Sequence, residues 1–205
     1  MATVQKAARR KVLSPVFRLS FPALFERERP MEGGTSKPKY ALTAVFDPSK
    51  FDAADKKRWK DMHDIADEAA MAAFKRPVAK LPSNFKLPFR DGAEKEHLDG
   101  FGAGTTFVKM SSHNMPGVVL QDGKTPVAVI PGDQASVDEA KNVVYAGCYC
   151  RASITAYAYD NVAKGVSFGL HNVMFVRDGD RIDGRTAPEE DFGEVAVPDD
   201  SDDLV

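Results

Sequence analysis

No stretch of the chain approaches the roughly 20 consecutive apolar residues that a membrane-spanning helix needs, so a membrane-crossing helix is not expected. Cysteine is scarce: Cys148 and Cys150 stand one residue apart, with no second pair and no histidine cluster to complete a zinc set. On a strand two such neighbours point the same way, and buried reduced thiols are the expectation. The four histidines (His63, His97, His113, His171) are scattered. There is no H-x-H, H-E-x-x-H or C-x-x-C, no G-x-S-x-G elbow at a strand-to-helix turn and no Walker-type G-x-x-x-x-G-K-[ST] phosphate loop. Asp91, Glu94, Glu96, His97 and Asp99 crowd one stretch, but without a second carboxylate strand they read as solvated loop charges rather than a nuclease metal centre. The expectation is therefore no catalytic residue, no metal and no cofactor. The charged N-terminus lacks an apolar segment behind it, so no secretion signal is read and the cytoplasm is the expected location.

Acids are unevenly placed. Residues 189–205 hold eight acids and no base, leaving 28 bases against 22 acids in residues 1–188. A basic body with an acidic tail suits a nucleic-acid-binding protein, and equally a domain with a solubilising tail. The organisation read from this is a basic arm (1–11), a folded domain (12–188) and a disordered acidic tail (189–205).

Hydrophobic alternation predicts a strand over 12–21, with Phe17, Leu19 and Phe21 on its core face, ended by Pro22. A second strand is expected over 39–46. Asp52 caps a predicted helix in which Trp59, Met62, Ala66, Ala69 and Ala73 recur at helical spacing, stopping near Phe74 before Pro77. Residues 78–104 are irregular and long enough to be a functional loop. Strands are expected over 105–111, 118–120, 127–130 and 143–159, the last forming a hairpin with 165–176. Short strands plus one helix, without a βαβ rhythm, predict a mainly β fold compatible with a decorated five-stranded OB-type barrel.

The strand from Cys148 to Tyr159 is the most informative. One parity carries Cys148, Cys150, Ala152, Ile154, Ala156 and Ala158, a core face. The other carries Tyr149, Arg151, Ser153, Thr155, Tyr157 and Tyr159. Rings, a guanidinium and hydroxyls suit unpaired bases and phosphates. The same face would also suit packing beneath the helix or a dimer interface.

The run YAGCYCRASITAYAYDNVAKGVSFGLHNVMFVRDGDRIDGRTAPEEDF (145–192) resembles a family of phage and prophage single-stranded DNA-binding proteins. VFRLSFPALFE (16–26), KPKYALTAVFD (37–47), LPFRDGAEK (87–95) and MPGVV (115–119) agree with it. The resemblance implies an OB-type fold without catalytic activity, binding of single-stranded DNA in replication or recombination, and homodimers. It places Tyr149, Arg151, Tyr157 and Tyr159 on a stacking platform, extended by Phe107, Lys109 and Arg90. It implies an acidic tail that competes with DNA and recruits replication or recombination proteins through Asp199, Asp200, Asp202, Asp203, Leu204 and Val205. Family tails often end in an aromatic residue; this one ends in Leu204-Val205, and Phe192 is the candidate substitute. The alternatives are a strand-annealing mediator with the same groove, or a virion or interaction β-domain indifferent to DNA.

Overall fold

The computed structural model describes residues 9–28, 37–122, 125–130, 132–161 and 163–182. Nine strands and two α-helices follow in chain order: β1 (Lys11–Leu13), β2 (Phe17–Glu28), β3 (Lys39–Phe46), α1 (Ala53–Phe74), β4 (Arg90–Asp91), β5 (Thr106–Ser112), β6 (Gly117–Asp122), β7 (Thr125–Ala128), α2 (Gln134–Val143), β8 (Tyr149–Asp160) and β9 (Lys164–Arg177). Sheet neighbours run β1-β8-β2-β3-β5-β9-β6-β7, and β8 also pairs with β9. That extra pairing closes β2, β3, β5, β9 and β8 into a ring. Pairs around it are antiparallel except β5 with β9, where Met110 lies opposite Phe168 in a parallel ladder. The fold is thus a five-stranded OB-type barrel with additions at its edges.

The inside of the ring is built by the alternation read in the sequence. Leu19, Leu42, Ala44, Phe46, Val108, Cys150, Ala152, Ile154 and Phe168 are all at most 1 % exposed. Cys148 and Cys150 are free and buried, with their Sγ atoms 3.6 Å apart. Helix α1 keeps its predicted bounds: Asp52 accepts from the Asp55 amide at 2.6 Å, and Lys75 closes the helix in a left-handed conformation. Met62, Ile65, Ala66 and Ala70 join the barrel core. Phe46 meets Trp59 at 4.9 Å and Trp59 meets Phe89 at 5.2 Å, which ties the 85–91 segment to helix and barrel.

Four expectations change. The first strand is broken at Ser14-Pro15-Val16, because Pro15 cannot donate to a ladder and the Ser14 hydroxyl instead serves the Ala152 amide. Pro22 does not end β2. A register shift between Ser20 and Ala23 absorbs it, and the same bulge turns Phe21 out of the core face to 54 % exposure. A second helix, α2, precedes the last hairpin, capped by Asp133 on the Ala135 amide and anchored by buried Ala140. Consequently the long strand begins at Tyr149 rather than Val143; the valines there favoured a strand reading, but they finish the helix.

Gly147 lies where the chain after β9 crosses back. Its φ is +114°, and a Cβ would collide with the Asp180 carbonyl. Gly147→Ala is expected to cost about 1–3 kcal/mol for the backbone conformation alone, before any displacement of Asp180. A thermal melt should show a fall of several degrees; an unchanged midpoint would contradict the crossing.

Candidate nucleic-acid interface

Residues in register on neighbouring strands share a face of the sheet. Arg90 lies opposite Phe107, Phe107 opposite Val45, Val45 opposite Arg18, Arg18 opposite Tyr149, and Tyr149 opposite Arg177. Their sequence neighbours Leu19, Phe46, Val108 and Cys150 point into the barrel, so this row lies on its outer surface. Three guanidinium groups thus share one row with three apolar or aromatic side chains across six strands.

At one end of the row the Arg177 guanidinium stacks on Tyr149, 3.5 Å from the ring centroid. Arg18 donates through Nη2 to the Asp180 carbonyl at 2.8 Å, while its buried Nε finds no hydrogen-bond partner among the described residues. Both arginines, Tyr149, Lys50, Gly100 and Thr105 line a groove of about 290 Å³. A buried N–H without an acceptor costs stability unless something supplies one. The groove's two carboxylates, Asp47 and Asp55, are already engaged by Lys50, Arg58 and Arg151, so the unmet Arg18 donor is where it suits an anion.

At the other end Phe107 is 3 % exposed. Arg90 lies 4.8 Å and Lys95 5.1 Å from its ring centroid, and Phe101 packs edge-on at 5.6 Å. Its ring supports the surface from beneath. Arg90 pairs with Glu94, not with its neighbour Asp91, which caps the following turn through the Ala93 amide. Lys109 pairs with Glu28 at 2.7 Å, both side chains about half exposed. Exposed pairs contribute little, so a phosphate can take Lys109 at small cost.

The remaining sequence candidates do not join this row. Arg151 is held by Asp55 on α1 at 2.8 Å, and burial pulls its pKa below the ordinary value. Tyr157 and Tyr159 stand eight and ten residues along β8 from Tyr149, about 26–33 Å away at 3.3 Å per residue. There Tyr157 carries Arg9 at 5.4 Å and lines a groove floored by Ala69, Ala72 and Ala73 of α1. The structure therefore splits the single tyrosine platform into two ends. Phe192 and the other tail residues lie outside the described residues. Among the described residues no three of His, Cys, Asp and Glu are grouped to hold a metal ion.

Sequence reasoning passed over Arg18, Lys50, Phe21, Lys95 and Arg177. Arg18 was legible as the lone cation on the polar parity of its strand. Phe21 was hidden by the bulge that reverses its face.

A family model described as the ssDNA-binding protein of Enterobacter phage Enc34 matches residues 10–205. The chain is 30 % identical over 184 residues to putative protein p50 of Acyrthosiphon pisum secondary endosymbiont phage 1, covering 88 % of this chain and 91 % of that protein. Its fold is similar to the single-stranded DNA-binding protein of bacteriophage Enc34 solved with ssDNA, at a TM-score of 0.62 and 18 % identity over 83 % of this chain and 88 % of that one. It is also similar to gp2.5, a single-stranded DNA-binding protein of bacteriophage T7, at a TM-score of 0.55 and 16 % identity over 94 % and 97 % of the two chains.

Proposed function

Because the chain belongs to the family of the Enterobacter phage Enc34 ssDNA-binding protein, we propose that it binds single-stranded DNA, without catalysis, along the outer row from Arg90 to Arg177. The observation that carries this reading is the groove beside Tyr149, lined by Arg18 and Arg177, where the Arg18 Nε lacks an acceptor among the described residues. Phosphates would take the guanidinium and ammonium groups, and bases would stack on exposed rings. None of these contacts reads a base edge, so binding would tolerate any sequence. Tyr157 and Tyr159, with Arg9, would serve a strand continuing past α1. Arg151 would act at a distance, by fixing β8 against the helix.

The test is a titration of the purified protein into a labelled ~30-nucleotide single strand and its duplex at two salt concentrations. Tight binding to the single strand, weak binding to the duplex and loss at high salt are expected. Equal affinity for both would sink the proposal and favour an interaction domain.

The acidic tail is proposed to compete with DNA and, once displaced, to recruit replication or recombination proteins of the host cytoplasm; the active form is taken as a homodimer. In support, the chain before the tail passes the groove: Arg18 holds Asp180, and the Ile182 amide donates to Ala146. An extended chain advances about 3.3 Å per residue, so acids from Glu189 onward are within reach of the row. Deleting residues 189–205 is expected to tighten single-strand binding several-fold at low salt, and less at high salt. Unchanged affinity would remove the competition. Sedimentation of the full chain decides the homodimer.

A further inference from the structure

Bases need an aromatic face open to solvent, and the row supplies few: Phe107 is buried, and Arg177 already covers one side of Tyr149. Phe21 answers this need. It is 54 % exposed, although most large apolar side chains of the barrel are buried. Its φ is +46°, a conformation an aromatic residue rarely adopts. Strained backbone persists when its surroundings over-determine it, and a bulge is a known device for re-aiming a side chain. Here the Ser20–Ala23 register shift sends the ring out over the sheet.

What the ring meets there is a cation. Lys95 Nζ lies 5.2 Å from the centroid of Phe21, 5.6 Å from Phe101 and 5.1 Å from Phe107. No carboxylate pairs with it among the described residues, while nearby Arg90 and Lys109 each have one in Glu94 and Glu28. An ammonium resting on three ring faces is held by weak attractions and keeps all three N–H donors. A phosphate would attract it more strongly than a ring does.

We propose that Phe21 and Lys95, backed by Phe101, form a nucleobase clamp: one unpaired base stacks on Phe21, and Lys95 moves from the rings to an adjoining phosphate. The clamp rests on the single-strand-binding reading and extends the row at its Phe107 end. No covalent chemistry is involved. Phe21 supplies the sequence-tolerant contact, and Lys95 couples it to the backbone charge.

Three full-length variants test it against an oligothymidylate of ~30 nucleotides, a probe without duplex structure. Phe21→Ala is expected to weaken binding about 5- to 150-fold, the range for losing one stacked base, and to leave the salt dependence unchanged. Phe21→Trp should bind within a few-fold of wild type, and its indole emission should be quenched by the oligonucleotide. Wild-type protein, whose Trp59 packs against Phe46 and Phe89, gives the baseline for that signal. Lys95→Gln should lower the slope of log affinity against log salt by about 0.7, the value of one phosphate contact on a single strand. Wild-type affinity in Phe21→Ala, or unquenched emission from Phe21→Trp at saturation, overturns the clamp and leaves the functional reading intact. If Phe21→Ala fails to fold, the emission of Phe21→Trp decides alone. Wild-type protein that ignores the oligonucleotide overturns the functional reading, and the clamp falls with it.

Discussion

Replacing Asp55 by alanine is expected to remove about 3–5 kcal/mol of stability, enough to leave much of the protein unfolded at physiological temperature. Asp55 is 7 % exposed at the start of α1. One oxygen accepts from Arg58 and from Arg151, each at 2.8 Å, and the other accepts from the Val16 amide at 3.2 Å. A single carboxylate thus joins the helix, strand β8 and the link between β1 and β2. Without it the Arg151 guanidinium stays in a half-buried site without its hydrogen-bonded counter-charge, and its Nε is already without a partner among the described residues. An unpaired buried charge costs more than the pair contributes, so Asp55→Ala should be worse than Arg151→Met. The double variant should lose less than the two single losses combined. Urea denaturation measures all three. A loss below about 1 kcal/mol in Asp55→Ala would mean that the network is screened by water. The same series assigns Arg151. As a structural residue it lowers stability when replaced and leaves the salt slope of DNA binding unchanged; as a phosphate contact it would lower that slope by about 0.7.

What the sequence disclosed and what it hid divide along the range of the forces involved. Helix α1 was legible because its signals are local: the Asp52 cap, the apolar stripe through Met62 and Ala66, and Pro77 beyond the end. The inward face of β8 was legible because alternation has a period of two and the barrel buries one side. Its outward face was not. Tyr149, Arg151 and Tyr157 look equivalent by parity, yet their neighbours are Arg177, Asp55 and Arg9, each chosen by the tertiary fold. Phe21 shows the limit most sharply. Two residues after Leu19 it belongs to the core face by count, and one extra residue in the ladder reverses it. The outer row draws on six strands between Arg18 and Arg177, so no window of sequence contains it. Phe107, Arg90 and Tyr149 could be named singly; that they stand in line follows only from ring closure.

The largest expected effect on binding belongs to that line. Replacing Arg18 and Arg177 together with glutamine should lower single-strand affinity by about 100-fold or more at low salt, since each charge-assisted hydrogen bond contributes about 1.5–3 kcal/mol. The slope of log affinity against log salt should fall by about 1.4, because each lost phosphate contact removes about 0.7. These two arginines are singled out by position. Both line the groove beside Tyr149, and among the described residues neither is neutralised by a close carboxylate: Arg18 lies 4.0 Å from the fully exposed Asp180, and Arg177 makes its contact with the Tyr149 ring. Lys60, paired with Asp64 on the wet face of α1, is the control, and Lys60→Ala should change neither affinity nor slope. Arg18 also holds the Asp180 carbonyl, so its loss can loosen the crossing over Gly147. Arg177→Gln alone, with the ring contact as its principal tie, separates the two effects and should still lower the slope by about 0.7. Tyr149→Phe should bind like wild type, and Tyr149→Ala should lose affinity without a change in slope, since a base needs the ring and not the hydroxyl. Wild-type affinity and slope in the double variant would move the DNA off this face altogether. The other tyrosine end, where Tyr157 carries Arg9 beside α1, would then be the surface to test.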